Sequence, residues 1–463
     1  MTTHNLFVIL HFHIPLQSPD ADIIHDWAGF MLMFFNLSIV LMWKSIRSDT
    51  KIVLALWFCI MMHSILVFWN SYVGTVIGGA LDAASFHQIA YRVSEALTYK
   101  GGEVHRALFS EVGVYTHFYG FFYWVFGSSL LLGGELSVLA FTLTSVVLVK
   151  LIDLLDLRRH RIWIVLFFGL LPSAMFIRSV TLREVWQALF FLLSIYLIIR
   201  LRKRQSILTV LFLFISTFCM ALLHHALIIY AVYLILIGVI WLLRGGNKRF
   251  RHSGGLRFLF AVLIFFCVIM LAQKMGWFSV IEHGLERTEV YRRAAISEGG
   301  RTLYGVMLDT SSVYGMVTTT IMAFFRYMFV PLPWDVGNAK DLLSMLETML
   351  RLAFLFFAVS SWRRSSGEVR SCYGFLLIAV LGMEFMWSLG TVNWGTATRH
   401  HLIGYSVIAL LGIPGLIQFM QKLHFGIFGR GKDSIFQDRG KYVQPDPIIN
   451  EMLQNRWQEK KKR

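Results

Sequence analysis

Three parts of this mostly apolar sequence carry side chains that could do chemistry. Asp82 follows a long apolar stretch, and Glu184 stands at the start of a later one. Arg399, followed by His400 and His401, precedes the last apolar stretch. A carboxylate can act as a general base toward a hydroxyl group or hold a divalent cation, and the planar guanidinium of arginine matches phosphate oxygens. These residue types therefore indicate chemistry on a ligand that contains phosphate and hydroxyl groups.

Each of these residues also has a structural explanation that the sequence leaves open. Asp82 precedes Ser85 and an apolar-periodic run, so it could be a solvated loop acid or a charge at a helix N-terminus. Glu184 could complement the dipole of a helix that begins there, with Arg183 extending to the membrane interface. Arg399 could extend to the interface in the same way.

Other candidates are less specific. His224 and His225 lie between two apolar stretches with almost no linker, so they could bind phosphate, relay protons or cap a turn. Arg178, Arg183 and Arg326 are further candidates for phosphate contacts. Between residues 282 and 294 the charges recur at i,i+3 and i,i+4, which predicts a solvated amphipathic helix.

The composition indicates a membrane protein. Of 463 residues, 56% are hydrophobic and 15% are charged, the mean hydropathy is +0.62, and apolar runs of about 20 residues recur along the chain. The four cysteines lack the spacing of metal ligands. The sequence has no phosphate-binding glycine loop, dinucleotide fingerprint or HExxH zinc motif. Nor do charged residues line the centres of several predicted spans, as proton-coupled transport would often require.

The basic residues cluster in connectors and predict the topology. Five connectors carry 18 lysines and arginines against four acids, and the tail adds more: 44–51, 153–161, 200–205, 244–257 and 363–370. By the positive-inside rule, all of them and the tail are predicted to be cytoplasmic. The net charge of +16 is therefore explained by topology, and nucleic acid is not expected as a partner.

This topology requires segments 112–127 and 313–330 to lie at the outer interface or re-enter it without crossing. The first has an aromatic stripe suited to the headgroup region: Tyr115, Phe118, Tyr119, Phe122, Tyr123 and Phe126. The second contains Arg326 and ends at Pro331.

The predicted fold is an all-α polytopic membrane protein with eleven transmembrane helices. The spans are 28–43, 52–77, 130–150, 162–177, 185–200, 206–223, 226–243, 258–277, 342–362, 371–390 and 402–420. Residues 1–27 form an outer N-terminal segment, 28–420 the transmembrane domain and 421–463 a basic cytoplasmic tail. Within the domain, the predicted outer-face loops are 78–129, 178–184, 278–341 and 391–401.

The order of these features resembles the GT-C superfamily, the integral-membrane glycosyltransferases that use polyprenyl-phosphate-linked sugars. The likeness is strongest to multispanning exopolysaccharide and O-antigen polymerase-type proteins of bacterial polysaccharide gene clusters. It covers roughly residues 52–420. The segments that carry it are DAASFHQIA (82–90), LPSAMFIRS (171–179) leading into LRE (182–184), FRYMFVPLPW (325–334) and NWGTATRHH (393–401).

The resemblance implies an enzyme of the bacterial inner membrane. It would transfer a sugar or oligosaccharide from a polyprenyl-(pyro)phosphate donor to an acceptor glycan at the outer face. Asp82 corresponds to the first-loop acid that acts as a base or metal partner, Glu184 to the second-loop acid, and Arg399 to a phosphate-facing arginine. Two features depart from the pattern: Asp82 has no acidic neighbour, and a span at 28–43 precedes the usual first helix. Both bear on whether a divalent cation, Mg²⁺ or Mn²⁺, takes part.

Two other functions fit the same sequence. One is a transporter or flippase for a lipid-linked glycan, which would show a polar central path and often inverted repeats. The other is a non-catalytic subunit of a polysaccharide assembly complex, which would tolerate loss of the outer residues.

Overall fold

The computed structural model describes residues 23–77, 81–99, 113–224, 226–244, 270, 273, 284–309 and 311–428. The chain forms two compact units, residues 1–415 and residues 416–463. The described residues of the second unit, 416–428, are helical. All side chains discussed below belong to the first unit.

The described residues form helices joined by loops, with no β-strand among them. The helices are α1 (Ile23–Ile39), α2 (Lys44–Arg47), α3 (Thr50–Tyr72), α4 (Asp82–Tyr99), α5 (Gly113–Phe126), α6 (Leu130–Leu154), α7 (Arg161–Leu170), α8 (Pro172–Arg178), α9 (Glu184–Lys203), α10 (Ile207–Leu223), α11 (Leu227–Arg244), α12 (Gly284–Ser297), α13 (Val313–Phe329), α14 (Ala339–Arg364), α15 (Gly367–Gly390) and α16 (Trp394–Phe428). Short 3-10 helices cover Val40–Met42, Arg158–His160 and Pro333–Asp335.

Six of the described helices are long and apolar enough to cross a membrane: α3, α6, α9, α14, α15 and α16 as far as Gln421. The helix pair Arg158–Leu170 and Pro172–Arg178, bent by 65°, makes a seventh if it is one broken span. Three predicted spans correspond to shorter apolar helices, Asp26–Met42, Ile207–Leu223 and Leu227–Leu243. The span predicted at 258–277 falls almost wholly outside the described residues. The chain is therefore a polytopic helical membrane protein.

α6 and α9 form the centre of the N-terminal half. α1, α3 and α9 pack around α6, and α10 and α11 pack on α9. The opposite face of α3 exposes large apolar side chains such as Leu54, Phe58 and Ile65. In a membrane protein such faces contact lipid, because lipid chains carry no penalty for exposed apolar surface.

The C-terminal half is built on α13, α14, α15 and α16. α13 and α14 both pack on α15. α16 approaches α14 closely at Gly412, where a Cβ would lie 2.3 Å from the carbonyl oxygen of Phe354. Backbone atoms cannot move aside as a side-chain tip can, so this crossing requires glycine.

Four of the predicted cytoplasmic connectors lie together. Arg161 pairs with Asp49 at 3.2 Å and also with Asp153, which joins connector 44–51 to connector 153–161. Lys203 donates to the carbonyl oxygen of Leu154, and Arg202 pairs with Glu368 of connector 363–370 at 3.7 Å. The four connectors therefore share one end of the helix bundle, as the charge pattern predicts for loops on one side of a membrane.

The two predicted interfacial segments are separate helices, α5 and α13, and neither meets the length and hydropathy of a spanning helix. The aromatic stripe of α5 has a different role from the one that the sequence predicts. Tyr115, Tyr119 and Tyr123 are buried in the protein, with at most 2% of each residue exposed, so they pack in the core. Phe118, by contrast, remains exposed.

Candidate functional site

Arg399, Asp82 and Glu184 come together in space although they are far apart in sequence. Arg399 donates from its Nη1 atom to Asp82 Oδ2 at 2.5 Å, across 317 positions of the chain. Its Nε atom lies 4.0 Å from Glu184 Oε1. Asp82 is the exposed member with 55% of its side chain accessible, Arg399 has 20% and Glu184 has 5%. The cluster thus runs from the surface into the protein.

Asp82 lies at the start of helix α4, which is the helix N-terminus that the sequence leaves open as an alternative to a solvated loop acid. Leu81 precedes it with a φ of 53°, in the left-handed region that sharp turns use. The hydroxyl group of Thr181 donates to the carbonyl oxygen of Ala83 at 2.6 Å. This bond ties the first turn of α4 to the segment that leads into Glu184.

Glu184 begins α9, as the helix-dipole explanation predicts. The preceding segment is held by Ser137, which donates to the carbonyl oxygen of Val180 at 2.7 Å, and by Ser179, which donates to the carbonyl oxygen of His63 at 3.2 Å. Arg183 lies with its guanidinium carbon 5.8 Å from the ring centre of Phe86 on α4. The Arg183 side chain therefore lies on the same side of the fold as Asp82.

Arg399 lies inside helix α16, which begins at Trp394, so the loop predicted at 391–401 ends earlier than the sequence indicates. Asn393 caps the helix by accepting a hydrogen bond from the backbone of Thr396 at 2.8 Å. The backbone of Trp394 donates to the carbonyl oxygen of Thr302 at 3.1 Å. A rigid helix terminus therefore carries Arg399, and rigid elements hold site residues more accurately than loops do.

Buried polar atoms without a partner lie below the ion pair. Glu184 Oε2 has no hydrogen-bond partner among the described residues, and neither does the side-chain amide of Gln187, one turn further along α9. Both Glu184 and Gln187 are buried. Such atoms are rare in folded proteins and call for an explanation such as a bound ligand or water.

Two histidines, His400 and His224, contact the same tryptophan, Trp387. The ring of His400 stacks on Trp387 with ring centres 3.8 Å apart, and His224 meets the same tryptophan edge-on at 4.8 Å. His400 Nδ1 lies 2.8 Å from the Thr391 hydroxyl group. Arg183 and Arg399 are close enough to His400 to act on it electrostatically. His225 lies outside the described residues.

Three predicted phosphate contacts lie elsewhere. Arg178 is buried, donates to the carbonyl oxygen of Phe168 at 2.7 Å and has its guanidinium over the rings of Phe141 and Phe168. It lies at the end of helix α8, with its side chain in the core. Arg326 is exposed on α13 and is joined to none of the three cluster residues. His401, one position past His400 on α16, pairs with Glu384 in the interior.

Sequence reasoning missed a histidine on the buried side of α4. His87 Nδ1 lies 2.8 Å from the hydroxyl group of Tyr123, one of the core tyrosines of α5. Desolvation lowers the pKa of His87 to about 4 and raises the pKa of Tyr123 well above its usual value. The pair is therefore neutral at physiological pH. The sequence signal that could have identified this pair is His87 in the periodic run after Asp82, together with the aromatic stripe of segment 112–127.

The cluster does not fit a divalent cation. Among the described residues, no three His, Cys, Asp or Glu side chains are grouped as metal ligands. The two carboxylates of the cluster are Asp82 and Glu184, and the guanidinium of Arg399 contacts both. While Arg399 is paired with both carboxylates, a Mg²⁺ or Mn²⁺ ion shared between them would meet its positive charge, so the ion-paired cluster does not form a site for either ion.

The sequence matches no protein-family model, and no curated protein or solved structure matches the chain.

Proposed function

We propose that this protein is a membrane glycosyltransferase that transfers a sugar or oligosaccharide from a polyprenyl-(pyro)phosphate donor to a hydroxyl group of an acceptor glycan. One observation carries the proposal: Asp82, Glu184 and Arg399 meet in one ion-paired cluster, away from the basic connectors. A base and a phosphate-binding arginine are the two groups that this transfer needs.

The ion pair suggests how the donor would engage. A donor phosphate is a stronger partner for the Arg399 guanidinium than a half-exposed carboxylate, because it offers a bidentate and more highly charged acceptor. Binding of the phosphate would therefore release Asp82 from Arg399. Glu184, which is buried, would keep Arg399 oriented throughout.

In the transfer step, the acceptor oxygen forms a bond to the anomeric carbon while the bond from that carbon to the phosphate oxygen breaks. Asp82 takes the proton of the acceptor hydroxyl group, and the phosphate leaves with the bonding electron pair. Arg399, with Arg183 nearby, offsets the charge that grows on the leaving phosphate. The configuration of the anomeric carbon inverts, since the two oxygens are on opposite sides of it.

The proposal puts the enzyme in a bacterial inner membrane, with the cluster and N-terminus outside and the C-terminus in the cytoplasm. The grouping of basic connectors supports this orientation through the positive-inside rule. The proposal includes a GT-C-like arrangement of eleven spans. Three of these would be the shorter apolar helices, one the bent pair and one the segment 258–277. The donor's lipid would lie in the bilayer beside the bundle.

A transporter or flippase for a lipid-linked glycan is the second candidate, because ionisable side chains are buried within spanning helices. Glu135 is fully buried on α6 and accepts from Asn36 at 2.9 Å. His401 on α16 pairs with Glu384 on α15, and Arg351 on α14 is also buried. Such residues often mark ion or substrate paths. A non-catalytic subunit of an assembly complex would need neither these groups nor the outer cluster.

The fate of a labelled glycan separates these functions. Purified protein is reconstituted in vesicles that contain a fluorescent polyprenyl-diphosphate oligosaccharide. We expect the glycan to lengthen on gels while the fraction accessible to a membrane-impermeant quencher stays constant. Vesicles with the Asp82→Asn/Arg399→Ala protein are the control. Movement of the label across the bilayer without lengthening would contradict the transferase and support the transporter.

A further inference from the structure

Leu81, the residue before Asp82, combines two features that are unusual for an apolar side chain. It is 73% exposed although it stands next to the ion pair of the candidate site. Its φ of 53° lies in the left-handed region, which is unfavourable for residues other than glycine. Backbone strain of this kind is concentrated at functional sites. The chain thus keeps an apolar side chain on the surface at a position where glycine would be less strained.

An exposed apolar stripe follows helix α3 toward this position. Its side chains recur every three or four residues, which places them on one face of the helix: Leu54, Phe58, Met61, Ile65, Trp69 and Val73. At 1.5 Å per residue the α3 stripe is about 29 Å long, close to the hydrocarbon thickness of a bilayer. It therefore presents apolar surface over the depth of the membrane.

The C-terminal end of α3 adjoins the first turn of α4. Asn70 of α3 and Ala83 of α4 line the same small cavity. The backbone of Val76 donates to Oδ1 of Asn70 at 3.2 Å, so the chain that leaves α3 folds back on the helix end. Asp82, next to Ala83, pairs with Arg399. The α3 stripe therefore ends beside the arginine to which the proposed function assigns the donor phosphate.

The position of Leu81 indicates what kind of lipid would bind there. Lipid of any kind covers the apolar face of a spanning helix, so the α3 stripe alone identifies no ligand. Leu81, however, lies beyond the span and within one residue of the Asp82–Arg399 pair. In a phospholipid, a polar glycerol group separates the phosphate from the acyl chains. In a polyprenyl diphosphate, the isoprenoid chain begins directly at the phosphate. An apolar contact so close to a phosphate-binding arginine fits the second arrangement.

We propose that Leu81 and the α3 stripe bind the isoprenoid chain of the donor, with its first isoprene units on Leu81 and the rest along α3. This inference rests on the proposed function, since it requires the donor phosphate at Arg399. It makes the chain itself part of donor recognition. A soluble nucleotide sugar, whose diphosphate is attached to a nucleoside, lacks the group that Leu81 contacts.

Two diphosphates that differ in their chain test this assignment. Purified full-length protein in nanodiscs is titrated with inorganic diphosphate and with farnesyl diphosphate. Wild type is expected to bind the farnesyl compound more tightly. Leu81→Gly should reduce this gain about tenfold, in keeping with loss of one apolar side chain from the contact, and leave the affinity for inorganic diphosphate unchanged. Glycine suits the left-handed conformation, so the thermal stability of Leu81→Gly should equal or exceed that of wild type.

The bilayer takes up the farnesyl chain equally in every sample, so only differences between variants report contact with the protein. Val73→Ser, at the end of the α3 stripe, should also reduce the gain. The matched control is Leu208→Ser, because Leu208 is exposed on α10 directly after the basic connector 200–205, at the opposite end of the bundle. It should leave both affinities unchanged. Arg399→Ala should weaken both ligands alike.

The outcomes separate this inference from the function on which it rests. An equal gain from the chain in wild type, Leu81→Gly and Val73→Ser, while Arg399→Ala still weakens both ligands, would overturn the chain site and leave the transferase standing. A loss of gain in Leu208→Ser as large as that in Leu81→Gly would also overturn the chain site. If wild type bound neither diphosphate, both the chain site and the phosphate site at Arg399 would be wrong.

Discussion

Glycan extension by the Asp82→Asn protein is expected to be slower than wild type by roughly 10²–10⁴-fold, the usual contribution of a general base. Asparagine keeps the shape of the side chain but cannot accept the proton of the acceptor hydroxyl group. Asp82 is half-exposed at a helix N-terminus, so the fold should persist with little change in thermal stability. The rate is measured as chain lengthening in vesicles that contain donor and acceptor.

The matched control is Glu95→Gln on the same helix. Glu95 is an acid that accepts from Tyr91 at 2.8 Å, outside the Asp82 cluster. The Glu95→Gln protein should extend glycans at the wild-type rate. If Asp82→Asn were as active as Glu95→Gln in folded protein, the role of Asp82 as base would be wrong.

Replacing Arg292 by Met is expected to lower the free energy of unfolding by about 3–5 kcal/mol, a large effect for a single substitution. Arg292 on α12 is fully buried and donates to the carbonyl oxygens of Ser388, Leu389 and Thr391 at 3.0, 2.8 and 3.2 Å. It also donates to the carbonyl oxygen of Val306 at 3.1 Å. Methionine fills the volume but removes the donor to the carbonyl groups of Ser388, Leu389 and Val306, and each unpaired group costs about 1–3 kcal/mol. The carbonyl group of Thr391 keeps its bond from the Tyr304 hydroxyl group at 3.0 Å.

The neighbouring Arg293 provides the control. Its side chain is 68% exposed and pairs with Glu289 one turn away. Arg293→Met should therefore change stability by no more than about 0.5 kcal/mol. Denaturant unfolding in detergent, followed by tryptophan fluorescence, measures both variants. Equal stability of the two would mean that Arg292 does not hold α12 against α15.

The charge pattern predicts that Asp82, Glu184 and Arg399 share one side of the membrane, because it predicts which connectors lie on the other side. Once the basic connectors are assigned to one end, the acids and Arg399 must lie at the other. This reasoning uses net charge over whole segments and needs no atomic detail. It therefore predicts which residues share a membrane face.

The same reasoning fails where the depth or direction of one side chain decides its role. The sequence predicts Arg178 among the outer residues, but the end of α8 directs it between two phenylalanine rings. The periodic charges correctly predict helix α12. They also predict that Arg292 is solvated, whereas the structure buries it against α15. His400 and His401 are adjacent in sequence, but helix geometry places them in two different clusters. These outcomes depend on packing between segments distant in sequence, which periodicity does not encode.

Binding of polyprenyl diphosphate without a sugar tests the central role of Arg399 most directly, since it needs no acceptor and no turnover. Purified protein in nanodiscs is titrated with the lipid by microscale thermophoresis. We expect Arg399→Ala to weaken binding by about 10–100-fold, in keeping with loss of a charge-assisted pair of about 1.5–3 kcal/mol. Asp82→Asn should bind at least as tightly as wild type, because it removes the carboxylate that competes for Arg399. Equal affinities for wild type and Arg399→Ala would contradict the account.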